Sequence, residues 1–183
     1  MINWDFIAKL EGESQLIGYV PFDRDKDNSG VTIGLGIDIG HRSETELRTK
    51  LYLPDPMVDK FKPYIGKIGK EARLFLKKNP LMISEAEEKV LNTAVKRYFE
   101  NKLRKRYNKE SKYNTWDNLG DTHQTVIMSV YHQYGNQMFR FEFWKQALMG
   151  DWAGMLHNLR DFGDAYDRRR NIEANLLETY LLY

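Results

Sequence analysis

The chain has 183 residues, 42% of them hydrophobic and 30% charged, with a formal net charge of +2. That is enough for one domain or two small lobes around a shared core, and ordinary for a globular protein. It contains no cysteine, which excludes disulfides, thiolate zinc sites and a cysteine nucleophile, and no run of about eighteen apolar residues that would predict a membrane span.

Ile2, Phe6, Ile7 and Leu10 recur at helical spacing and predict a short amphipathic helix over residues 2–10. Glu11 stands where that helix runs out, and Gly12 is a C-cap candidate. A carboxylate there faces the negative end of the helix dipole, so the position suits a carboxyl group that keeps its proton. A connection rich in Gly, Asp and Asn leads to Val31-Thr32-Ile33-Gly34-Leu35-Gly36-Ile37-Asp38, and residues 15–40 are expected to form a hairpin or three short strands. Ser43 with Glu46 is a capping-box pattern. The helix it opens is short, because Pro54 and Pro56 follow. A further turn is expected over Val58–Tyr64, a loop at Gly66 and Gly69, and a helix over Lys70–Lys78 closed by Asn79-Pro80.

Ser84 and Glu87 form a second capping-box pattern at the head of the longest helix, from Glu85 to about Tyr107, where Leu91, Val95, Phe99 and Leu103 step by four. Residues 96–112 hold eight Lys or Arg and two Glu, a local balance of +6, which leaves the remainder of the chain near −4. This is either a solvated helix face or a patch attracted to an anionic polymer. Asn108–Thr115 is polar and predicts a loop, Trp116–Gly135 a helix, and Phe139–Met149 an apolar-aromatic helix broken by Gly150. Asp151 is placed to cap Trp152–Arg160, and Ile172, Leu176, Leu177 and Tyr180 mark the last helix. His123 and His132 read as polar positions on their helix rather than ligands, and the four His show no metal-ligand spacing.

Hydrolysis of a glycosidic bond needs one protonated carboxyl for the leaving oxygen and a second carboxylate to activate water or act as nucleophile. Glu11 and Asp38 are candidates for that pair. The set Glu11-Gly12, Gly18-Tyr19 and Gly30-Val31-Thr32-Ile33-Gly34-x-Gly36, followed by Asp38, resembles phage-type lysozymes, and within them the pesticin-like toxin domains. The resemblance implies that Glu11 is the general acid, that Thr32 helps hold the attacking water, and that Asp38 supplies the second carboxylate. Tyr19, Gly34 and Gly36 would then contact substrate. Phage enzymes carry another Asp soon after the Tyr, whereas here Val20-Pro21-Phe22 follows. Asp23, Asp25 and Asp27 are the alternatives for that role. Arg169, Arg170, Glu173 and Leu176 match the family's Arg-pair pattern, and the resemblance implies that Arg169, or else Arg170, reaches the acid.

The expected fold is α+β, mostly helical and lysozyme-like: an N-lobe over about 12–82, a linker helix over about 83–107, and a C-lobe over about 108–183 joined by the N-terminal helix 2–11. The expected activity is that of an N-acetylmuramidase acting on peptidoglycan glycan strands without metal or cofactor, as a monomer, with an immunity or inhibitor protein as a further partner. Nucleic acid is not an expected partner. Phage endolysin and a non-catalytic wall-binding module are the alternatives. The N-terminal MINWDFIAKL has no signal-peptide pattern, so release by lysis, carriage or injection is expected to bring the protein to the wall, in the periplasm of a target bacterium.

Overall fold

Both Ser-x-x-Glu patterns open helices. Ser43 Oγ accepts from Glu46 N at 3.1 Å while Glu46 Oε2 accepts from Ser43 N at 3.3 Å. Ser84 and Glu87 repeat the exchange at 3.2 and 2.8 Å, so two otherwise orphaned N–H groups are satisfied at each start. The structure, a computed structural model, describes residues 1–12, 14–21 and 28–181. Packing divides the chain into two units, residues 12–98 and residues 1–11 with 99–183.

In the unit of residues 12–98, strands β1 (Gln15–Tyr19), β2 (Thr32–Gly34) and β3 (Ile37–Asp38) form an antiparallel sheet in the order β1-β2-β3. Helices α2 (Glu44–Thr49), α3 (Asp55–Phe61) and α4 (Gly69–Lys78) follow. Pro56 starts α3 rather than preventing it, since a first-turn proline forfeits only an N–H that has no helical partner. Val31, Ile33, Ile37 and Ile39 alternate inward and are buried with Leu47, Val58, Phe61, Ala72 and Leu91.

Helix α5 (Glu85–Glu110) begins in that unit and continues from Phe99 in the other. It outlasts the expected end by three residues. Asn108 stays helical and uses its side-chain oxygen to accept from Trp116 N at 2.7 Å, so a polar residue that suggested a loop ties the next segment down instead.

In the unit of residues 1–11 and 99–183, α1 (Trp4–Glu11), α6 (Asp121–Tyr134), α7 (Glu142–Met149), α8 (Trp152–Arg160) and α9 (Asp167–Leu181) share one core. Residues 123–131 of α6 are all buried, as befits a central helix enclosed by the rest. The single helix expected over 116–135 is split: a 3-10 turn covers Trp116–Asn118, and Gly120 is extended at φ −61°, ψ 153° before α6. Gln124 Nε2 donates to Trp116 O at 2.9 Å and secures the break. The stretch after Gly135 also divides, into a 3-10 helix over Gly135–Arg140 and then α7. Asp151 caps α8 by accepting from Gly154 N at 2.9 Å. The α+β, mostly helical expectation holds, and among the described residues no helix is long and apolar enough to cross a membrane.

Candidate active site

Glu11 is the last residue of α1, and Gly12 turns the chain away at φ +88°, a left-handed conformation that favours glycine. The Glu11 carboxylate lies against α6 and α9. Its Oε1 is 2.5 Å from Arg169 Nη2 and 3.2 Å from His132 Nδ1. His132 Nδ1 is buried with no hydrogen bond to any other group, and it favours the ionised Glu11 carboxylate both by hydrogen bonding and through charge.

Arg169 is fixed from behind. Its Nη2 donates to Ser129 O at 2.9 Å and its Nε to Glu173 Oε1 at 3.1 Å. Glu173 is fully buried and also accepts from Ser129 Oγ at 2.5 Å and from Arg170. Arg170, 1% exposed, turns away from Glu11 to Glu173, Asp164 and Gln133, under the rings of Tyr134 and Phe162. The two arginines therefore have different tasks: Arg169 contacts Glu11, and Arg170 neutralises the buried carboxylate that orients Arg169. Tyr134 donates to Asp164 at 2.5 Å, and burial together with that carboxylate pushes its hydroxyl up to about 12, so it stays a donor.

Burial pushes the Glu11 carboxyl up, but His132 and Arg169 outweigh it and hold the group at about 2. The expectation that the helix end keeps Glu11 protonated is corrected here. The His132 imidazole and the Arg169 guanidinium, both in contact, carry more weight than a dipole end near half a charge. His132 was legible only as a polar residue. The available signal was that Ser129, His132 and Gln133 interrupt the apolar run that begins at Val126 at i, i+3 and i+4, which puts them on one face. Beside Arg169, a depression of about 350 Å³ is lined by Leu10, Tyr166, Arg169 and Ile172.

In the other unit, Tyr19, Thr32 and Asp38 are register partners across β1, β2 and β3 and so form one transverse row. Asp38 Oδ2 accepts from Gly30 N at 2.9 Å and Oδ1 from His41 N at 3.2 Å. Thr32 is 4% exposed and its Oγ1 donates to Gly30 O at 3.2 Å. Gly30 is the centre of this clasp: a Cβ there would run into Asp38 Oδ1 and the Gly40 backbone. Gly34 and Gly36 have φ of +62° and +82° and form the β2–β3 turn. The turn is held by Asn92, whose Oδ1 accepts from Leu35 N at 3.1 Å, while Asn92 Nδ2 donates to Ser14 Oγ at 3.1 Å. Asp23, Asp25 and Asp27 lie outside the described residues. Among the described residues, no three His, Asp or Glu gather as a metal site would require.

Comparison with curated proteins gives no match to the chain. A family comparison does, and its matched range includes Glu11, Tyr19, Thr32, Asp38 and His132 but ends before Arg169 and Glu173. The matching family is pesticin, described as a bacterial toxin homologue of phage lysozyme (C-terminal part), over residues 1–153, and the chain belongs to this family of lysozyme-like bacterial toxins.

Proposed function

We propose that the protein is a glycoside hydrolase of the muramidase type, cutting the bond between N-acetylmuramic acid and N-acetylglucosamine in peptidoglycan, and that it serves as an antibacterial toxin. The observation that carries this reading is the seating of Glu11. One carboxylate at a helix end is gripped by an arginine that is itself held by a buried Glu, in a chain of the pesticin family. Glu11 is the proposed proton donor to the leaving oxygen. Asp38 is the proposed second carboxylate, and Thr32 positions water beside it.

A carboxyl held at about 2 is ionised in the resting protein, so a general acid must gain its proton in the substrate complex. A sugar covering Glu11 would remove water from it and favour the neutral form. His132, 3.2 Å away, is the nearest group able to pass a proton. A second reading, a wall-binding module without turnover, is favoured by one observation: both Asp38 oxygens already accept backbone N–H bonds. Purified sacculi separate the two. The catalytic reading expects the parent protein to clear them, with a loss of at least about a hundredfold in Glu11→Gln and in Asp38→Asn, the usual scale for a lost acid–base group. Binding without clearance by the parent protein would establish the module reading.

A further inference from the structure

Four of the eight cations of residues 96–112 line a groove. Lys102, Lys105, Arg106 and Lys109 from α5, with Phe139 and Arg140 from the 3-10 helix, line a concavity of about 530 Å³. Every residue of it lies in the unit that carries Glu11, and none is a partner of Glu11. Arg106 is built in: it lies over the Phe139 ring at 4.5 Å and pairs with Glu110, whose Oε2 accepts from Trp144 Nε1 at 2.8 Å. Lys102, Lys105, Lys109 and Arg140 have no acidic partner within 4.0 Å among the described residues. Like charges set together in a concavity repel one another, and they raise the local concentration of anions.

We propose that this groove binds the carboxylates of the stem peptides that peptidoglycan strands carry. The choice of ligand rests on the muramidase reading, which already brings such strands to the protein. Lys102 and Lys109 are seven residues apart on one helix, about 10 Å at 1.5 Å per residue. An extended peptide of four residues reaches about 13 Å, so carboxylates near both ends of a short stem can each meet a cation. The planar fork of Arg140 suits a carboxylate. A membrane surface is a poorer fit, since no large apolar side chain of residues 96–112 is exposed. Single-stranded nucleic acid is also a poorer fit, since it calls for rings on which bases stack, and Arg106 already covers the one ring of the groove.

The test uses Glu11→Gln protein, so that strands are not digested while binding is measured. Fluorescently labelled glycan strands are compared before and after an amidase removes their peptides. Intact strands are expected to bind at least tenfold more tightly than peptide-free strands, and the difference should shrink with salt. The combined variant Lys102→Gln, Lys105→Gln, Lys109→Gln, Arg140→Gln should lose that difference while keeping its affinity for peptide-free strands and its melting temperature. Single Lys105→Glu, which carries less risk to folding, should lose part of it. Equal affinity for the two strands overturns the proposal, and so does tighter binding of single-stranded DNA that is abolished by the same variants. Hydrolysis of sacculi by the wild-type chain is measured alongside. Hydrolysis without peptide-dependent binding refutes the groove alone, whereas absence of hydrolysis refutes the muramidase reading.

Discussion

His132 and Arg169 hold Glu11 ionised, the state that the proposed proton donor must leave. Arg169→Gln removes the closest positive charge, so the Glu11 carboxyl should rise from about 2 toward the ordinary carboxylate range. Carbon-detected NMR titration of the side-chain carboxyl checks the direction, and an unmoved titration would mean that His132 dominates. For His132→Gln, the predicted change is kinetic: kcat on sacculi falls more than KM rises, and the pH–rate profile of kcat shifts or flattens. A uniform loss at every pH would make His132 a packing residue only. Glu11, Thr32, Asp38 and Arg169 could be picked from the sequence because their spacing resembles a known family. His132 could not, because its contact with Glu11 depends on α1 packing against α6, segments over a hundred residues apart. The protonation state of Glu11 was out of reach for the same reason.

At the scale of elements, the boundaries set by local caps and turn residues were legible, among them the ends at Lys78, Met149 and Arg160. Ser43, Ser84 and Asp151 act through local side-chain bonds that sequence alone specifies. The end of α5 and the split before α6 depend instead on side-chain bonds that reach eight residues along the chain, Asn108 to Trp116 and Gln124 to Trp116. The Gly30–Asp38–Gly40 clasp is also tertiary, and it makes Asp38 serve the sheet as well as any chemistry. Gly30→Ala is predicted to destabilise the protein by about 1–3 kcal/mol, the usual range for overpacking against a close-packed surface, with the loss seen as a lower urea midpoint. Wild-type stability in Gly30→Ala would show that the loop yields without cost. Asp38→Asn should lower both activity and melting temperature, because Gly30 N and His41 N bond to different carboxylate oxygens and an amide replaces one of those acceptors with an NH2 donor. Loss of activity with unchanged melting would assign Asp38 to chemistry alone.

For the whole molecule, acid should act in two windows. His123 is 3% exposed between Trp152 and Tyr180, and burial holds its ring down at about 4. The unfolded chain takes up that proton first, so stability falls as pH drops from about 6.5 to about 4. Glu11, also lowered, adds a second loss between about 4.5 and about 2. Thermal melts across pH 7 to 2 should show both steps. His123→Phe should remove the upper one, and an unchanged upper step would place its cause elsewhere. Mass spectrometry of the fragments released from purified sacculi identifies which glycosidic bond is cut. Muropeptides whose reducing ends are N-acetylmuramic acid are expected from the wild-type chain and not from Glu11→Gln. Reducing ends of N-acetylglucosamine, or equal release by Glu11→Gln, would contradict the muramidase reading.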